Sequence, residues 1–232
     1  MKDFNIFDTN NYSTVESLLE EGNKIFEDEF IKSNLYIKHG NKQIEISFSR
    51  DKKVRLEPPY SHIEVYQKFA HVSTLGRDDD FLKIKYDAYP CSNDFCSCQG
   101  DCFEDFKVNY KENYKIDKEN IQIERTICHY RMSKLYWIKH VIGKVQKYDG
   151  EVKIIQHNNK KGAGTYCKDV AFYYKSKNSK NYFIIYFEKR KKGKDFKLHF
   201  KTAFPVVLRS AIKKYDAISK KWGIKQEALF FD

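Results

Sequence analysis

The sequence lacks the punctuation of a repetitive or low-complexity chain. It has only four Pro and ten Gly in 232 residues, no internal repeat, and no biased tract longer than the basic run at residues 189–194. It also lacks long hydrophobic runs. The longest unbroken apolar stretch, residues 182–187, has six residues, against the roughly 20 needed to span a bilayer. Residues 1–8 carry acids where a leader would have a basic segment followed by an apolar one. The expectation is a soluble, cytoplasmic protein that does not cross a membrane. Aromatic side chains are plentiful at 16% and apolar residues make up 41%, so the chain can bury enough surface to offset its ordering entropy.

Acidic side chains are the scarcer charge, 32 Asp and Glu against 43 Lys and Arg, a net of +11. The deficit is uneven. Residues 1–106 hold 13 basic and 20 acidic side chains, a net of −7, whereas residues 107–232 hold 30 and 12, a net of +18. That asymmetry predicts an acidic N-terminal domain over 1–106, a basic domain over 107–232, and a polyanion partner for the second. One further expectation is that the acidic part competes with that polyanion as an intramolecular brake; two ordinary surfaces of different composition are the plainer alternative.

The predicted fold class is α+β. Ser13 or Thr14 caps a helix running to about Lys32, with Val15, Leu18, Leu19, Ile25 and Phe26 at helical spacing. Short strands are expected at 36–38, 43–48, 63–69 and 81–86, then a polar connector over 110–120. The basic domain is expected to begin with a long helix over 121–145, continue with strands at 152–156 and 171–174, and form an antiparallel hairpin from 182–188 and 196–203 around Gly193. A basic terminal helix over 208–222 closes it.

Four of the six cysteines crowd into twelve residues: Cys91, Cys96, Cys98 and Cys102. Four thiolates satisfy a tetrahedral structural zinc ion, whose binding would contribute folding free energy to a segment poor in apolar residues. The spacing C-x4-C-x-C-x3-C departs from paired C-x-x-C knuckles, and disulfides or free thiols are the other readings. Cys128 and Cys167 read as ordinary buried or semi-buried thiols.

Two segments of the basic domain carry candidate chemistry. One runs from Glu124 through His129, Arg131, Lys134 and Trp137 to Lys139; the other contains Lys201, Thr202, Ala203, Phe204 and Pro205, followed by Arg209 and Lys213. The pattern R-x-x-K-L-x-W-I-K-x-V-I from Arg131 to Ile142, with a strand ending T-A-F-P about 60 residues later, resembles prophage- and toxin-associated ribonucleases of the barnase, EndoU, colicin and RelE-like group. The resemblance covers roughly residues 121–221. It implies one or two helices before a small antiparallel sheet, an active site on the sheet face, and a Thr202 hydroxyl that donates to a phosphate oxygen. Phe204 stands where that group more often has Tyr.

The residue types suit RNA cleavage without a metal. A base takes the 2′-hydroxyl proton, an acid protonates the leaving 5′-oxygen, and cations hold the charge of the transition state. His129 is the expected proton carrier, because imidazole titrates near neutrality. Arg131 and Lys134 are expected to hold the phosphorane, with Glu124 a second base or an orienting carboxylate. His140, His157 and His199 are reserve acids, the last two if the sheet face carries the site. Lys139, Lys153, Lys201, Arg209 and Lys213 are expected to neutralise phosphates. The expected function is thus a metal-independent endoribonuclease in a toxin or phage-defence setting, acting on tRNA or mRNA, with an inhibitor protein as a possible second partner. The competing reading is a non-catalytic nucleic-acid-binding protein with a structural zinc site, whose aromatics Tyr173, Tyr174, Tyr182, Tyr186 and Phe187 stack bases.

Overall fold

The structure, a computed structural model, describes residues 7–8, 11–48, 52–76, 110–116, 119–161, 165–177, 182–193, 195–207 and 209–231, by backbone alone at 75, 76 and 192 and within 110–126 and 157–168. The chain divides into two units that interleave: residues 1–4, 28–50 and 136–232 form one, and residues 5–27 and 51–135 the other. The boundary expected at Phe106 lies outside the described residues. Charge divides unevenly between the two units. The first unit holds 28 basic and 12 acidic side chains, a net of +16, and the second 15 and 20, a net of −5; they are called the cationic and acidic units below.

In the acidic unit, α1 (Val15–Phe26) is capped by Thr14, whose Oγ1 accepts from the Ser17 amide at 3.1 Å. A π turn, Glu27–Ile31, extends it to about the expected end. Gly22 sits where a Cβ would come within 2.9 Å of the Phe69 ring, so the missing side chain is what admits Phe69 beside Phe26. Strands β3 (Lys53–Arg55) and β4 (Glu64–Tyr66) pair antiparallel. The strand expected over 63–69 stops at Tyr66 and becomes α2 (Gln67–Ser73), because Phe69, Ala70, Val72 and Ser73 bury one helical face and the Ser73 hydroxyl bonds back to the Phe69 carbonyl at 2.7 Å.

The expected connector over 110–120 is a second correction. It is strand β6 (Tyr110–Ile116) and the start of β7 (Glu119–Ile127), which sits between β6 and β5 (Thr74–Gly76). The long helix expected from Ile121 accordingly begins later, as α3 (His129–Met132) and α4 (Leu135–Gln146). Ile121, Ile123 and Ile127 recur at even spacing, a period of two that fits a strand, and pairing with β6 satisfies the backbone. The strand expected at 81–86 lies outside the described residues.

The cationic unit is built on a seven-stranded sheet. Its strands are β1 (Leu35–His39), β2 (Lys42–Ser47), β8 (Val152–Lys161), β9 (Thr165–Lys175), β10 (Tyr182–Lys192), β11 (Asp195–Pro205) and β12 (Gly223–Ile224), in the order β1-β2-β11-β10-β9-β8-β12. All neighbours are antiparallel except β2 and β11. The expected β10–β11 hairpin is present, with Gly193 at φ +62 in its turn. On one face Trp137 of α4 meets Tyr174 and Phe183 with ring centroids 6.2 and 5.7 Å apart. On the other, α5 (Arg209–Trp222) lays Ala211, Ile212, Tyr215 and Ile218 over Ile155, Ala171, Tyr173 and Ile184. The fold is α+β, as expected.

Phe48 ties the N-terminal hairpin into this core: it is 1% exposed, stacks on Phe200 at 4.5 Å and meets Phe30 at 5.1 Å. Phe48→Ala should cost about 3 to 5 kcal/mol, measured as a lowered urea midpoint. A loss under about 1 kcal/mol would mean that the hairpin does not share the core.

Candidate nucleic-acid interface

Strands β10 and β11 pair regularly except at one point. Tyr186 is opposite Thr202 and Phe187 is opposite Phe200, leaving Lys201 as an extra residue in β11. This bulge keeps Phe200 on the aromatic face with Phe187, 6.1 Å away, and returns His199 to the face that α5 covers further along. A polar row results. Ser47, His199, Glu188 and Asp169 stand opposite one another in register across β2, β11, β10 and β9, and His157 of β8 is opposite Asp169.

Glu188 is 7% exposed, a carboxylate taken out of water that requires compensation. Arg190 Nη2 donates to it at 2.8 Å, and the extra Lys201 reaches Asp169 at 3.4 Å and Glu188 at 4.0 Å. The Lys201 ammonium stays exposed, while Asp169 and His199 are half-buried. The row therefore brings together an imidazole, two carboxylates and two cations, of which Arg190 and Lys201 are exposed, Asp169 and His199 half-buried and Glu188 buried.

Beside it, α5 turns its apolar side to the sheet and its charge to solvent. Arg209, Lys213, Lys214, Lys220 and Lys221 are exposed, and none has an ion pair among the described residues. The helix has a single acid, Asp216, which turns inward to accept from the Tyr173 hydroxyl at 3.3 Å and from Lys175 at 2.8 Å. Near it the Tyr186 and Tyr215 hydroxyls meet at 3.1 Å, and burial pushes both phenols up, so they stay neutral. The outward face of α5 is thus an unneutralised cationic stripe suited to a phosphate backbone. Its apolar side faces the sheet. Among the described residues no helix is long and apolar enough to cross a membrane.

The expected catalytic residues are distributed otherwise. His129, Arg131 and Lys134 belong to the acidic unit and are 6%, 5% and 2% exposed. Burial lowers the His129 pKa, so the ring is neutral at pH 7. Arg131 Nη1 donates to the Thr74 carbonyl at 2.6 Å, holding β5 rather than a phosphate. Lys134 lies over the Tyr130 ring, and burial pulls it down to about 8. Glu124 is opposite Lys111 in β7, its side chain outside the described residues. Thr202 is in the cationic unit, but its Oγ1 is shut away from solvent, which makes it a packing residue of the row that contains Tyr186.

The residues expected to meet phosphates, Lys139, Lys153, Lys201, Arg209 and Lys213, are all exposed, with Lys139 paired to Glu29 and Lys201 to Asp169. Partial burial and the neighbouring Lys144 and Lys147 pull His140 down to about 4, so it carries no proton near neutrality. Tyr173, Tyr174 and Phe187 are at most 1% exposed, so these expected base-stacking aromatics belong to the core. Cys128 is buried, 2% exposed, as expected. Cys91, Cys96, Cys98 and Cys102 lie outside the described residues; among the described ones no group of three His, Cys, Asp or Glu could hold a metal ion.

Asp169, Glu188 and Arg190 were missed by sequence reasoning. The available signal was a carboxylate closing the six-residue apolar run at 182–187. No family model, no curated protein and no solved structure matches the chain.

The burial of Lys134 has a measurable sign. Its folded pKa is lowered, so the unfolded chain binds the proton more tightly, and stability rises as pH climbs from about 8 toward 10.5. Lys134→Met should abolish that rise and add about 2 to 3 kcal/mol at pH 7, read by denaturant titration across pH. A variant less stable than the wild type at pH 7 would contradict this desolvated role.

Proposed function

We propose that the cationic unit binds RNA along α5 and the adjoining sheet face and cleaves it there without a metal ion, as a toxin- or defence-type endoribonuclease. The supporting observation is the polar row beside an unneutralised cationic helix. His199 takes the proton from a ribose 2′-hydroxyl, whose oxygen attacks the adjacent phosphorus. The bond from phosphorus to the 5′-oxygen breaks, and that oxygen receives a proton from an acid in the same row, with His157 the candidate by register. The products are a 2′,3′-cyclic phosphate and a 5′-hydroxyl. Lys201 is the exposed cation nearest the row and would stabilise the phosphorane, while Glu188 and Asp169 orient it. A tRNA or mRNA substrate, and an acidic inhibitor protein covering the α5 stripe, fit the same surface.

Purified protein incubated with total RNA in EDTA should yield cyclic-phosphate ends. His199→Gln should reduce cleavage by about 100-fold or more, an ordinary loss for a proton-transfer group, with binding unchanged. Lys213→Ala with Lys220→Ala should instead weaken binding and lower the slope of log K against log salt by about 1.4, roughly 0.7 for each single-strand phosphate that a lysine no longer neutralises. Binding with that salt slope but no cleavage by the wild type would replace the enzyme with a binding module. The zinc site at Cys91, Cys96, Cys98 and Cys102 is a separate part of the proposal: metal analysis of protein purified without chelator should find about one zinc per chain, and less than half that amount would remove it.

A further inference from the structure

Among the described residues four large apolar side chains are exposed: Tyr36, Tyr148, Trp222 and Phe231. All four are aromatic, and all belong to the cationic unit. Each stands beside a basic side chain. Lys38 Nζ is 4.7 Å from the Tyr36 centroid, Lys221 Nζ 5.2 Å from that of Trp222 and Lys42 Nζ 3.9 Å from that of Phe231, and the His39 ring is 6.2 Å from the Tyr148 ring. An aromatic ring has much to gain from burial, so rings left in water on the most positive part of the chain point to a partner that supplies the missing contact.

Three of the four gather at β1, the outermost strand at one end of the seven-stranded sheet. Tyr36 is opposite Glu45, Glu45 opposite Lys197 and Lys197 opposite Arg190, the row next to that of Ser47, His199 and Glu188. Residues opposite in register share a face, so Tyr36 stands on the face of the polar row. It is two strands and two residues from His199, or about 12 Å at roughly 4.8 Å per strand and 3.4 Å per residue. Around the β1–β2 turn the His39 ring bonds the Tyr148 hydroxyl and lies 5.6 Å from the ring of Phe230, the neighbour of Phe231. Gln146 Oε1 accepts from the Lys38 amide at 2.7 Å, and Lys189 donates to the Phe231 carbonyl. These contacts hold the rings in place before a ligand arrives. The acids beside them are already paired, Glu45 with Lys197 at 2.6 Å and Asp149 with Lys144 at 2.6 Å.

We infer that the RNA bound by the cationic unit is single-stranded, and that it passes from the α5 stripe over the polar row to the β1 edge. There Tyr36, and beyond it Tyr148 and Phe231, stack on its bases while Lys38 and Lys42 neutralise its phosphates. The inference rests on the RNA-binding reading above and specifies its substrate class. In a duplex each base face is covered by the next base pair, so exposed rings have nothing to stack on; in a single strand the faces are free, and every base has one. Rings alternating with cations match the alternation of bases and phosphates along such a strand. Trp222, beside Lys221 at the end of α5, gives the stripe a ring of its own.

The test measures binding of the full chain to a short labelled 2′-O-methyl oligoribonucleotide, alone and annealed to its complement. That probe lacks the attacking hydroxyl, so cleavage by the proposed route does not intervene. The single strand should bind about ten-fold or more tighter than the duplex. Tyr36→Ala, and separately Tyr148→Asn with Phe231→Ala, should each weaken the single strand by about 5- to 150-fold, the loss that follows removal of a stacking ring, with the salt slope unchanged. Asn suits position 148, where φ is +57. Tyr36→Trp should bind like the wild type. Lys38→Ala with Lys42→Ala should instead lower the slope of log K against log salt by about 1.4. Equal affinity for strand and duplex overturns the inference, as do ring variants that bind like the wild type while Lys213→Ala with Lys220→Ala still weakens binding; either result leaves RNA binding by α5 standing. No binding of either form by the wild type overturns the RNA reading and this inference together. The comparison of strand with duplex needs only the wild type, so a ring variant that fails to fold does not shelter the inference.

Discussion

One extra residue in β11 governs the cationic unit. A strand alternates its side chains strictly, so without the bulge at Lys201 the residues on one side of that point would exchange faces relative to the other. Phe200 would then leave Phe48 and Phe187 for the polar row, and His199 would point into the aromatic core. The bulge reconciles two incompatible demands: Phe204 and Thr202 align with the apolar residues under α5, while His199 aligns with Glu188 and Asp169. It also supplies the ammonium that lies between those carboxylates. Packing and polar chemistry on this sheet thus share a single irregularity, and neither can be altered without the other.

The charge of the molecule has a similar logic. The +11 of the whole chain is a +16 unit and a −5 unit, and within the first the cations are not uniform. Some are already committed: Lys144 to Asp149 and Glu151, Lys197 to Glu45, Lys175 to Asp216. Lys189, the first residue of the basic run at 189–194, is 3% exposed and donates to the Phe231 carbonyl at 2.5 Å. The cations of α5 are left over after that pairing, and their excess reflects the presence of one inward-turned acid among fourteen helix residues. A charge count marks the unit; only the pairing pattern marks the surface.

The local elements were largely legible in the sequence. Capping by Thr14, the alternation of Ile44, Ile46 and Phe48, and the Gly193 turn each act over a few residues, so periodicity and turn chemistry report them directly. The failures differ in cause. The helical spacing of Met132, Leu135, Ile138 and Ile142 does not extend back over Ile121, Ile123 and Ile127, whose period of two belongs to the strand that pairs with β6. His129, Arg131 and Lys134 looked catalytic because their types suit the chemistry, but a side chain's type says nothing of its exposure. The polar row could not be read at all: it depends on cross-strand register, which a bulge resets and which only the folded sheet defines.

The parallel pairing of β2 with β11 also has a consequence in time. Glu45 and Lys197 are joined by an ion pair across 152 residues. At roughly 5 to 20 residues per second on the ribosome, β2 emerges about 8 to 30 seconds before its partner strand. During that interval Ile44, Ile46 and Phe48 sit on a strand with one open edge, the kind of template on which nascent chains cross-pair. The β1–β2 hairpin can close at once and shield one side, and the glutamate between Ile44 and Ile46 places a charge on the waiting edge. Slow or paused synthesis between residues 50 and 195 would prolong that exposure, so the yield of folded protein should depend on how quickly this stretch is translated.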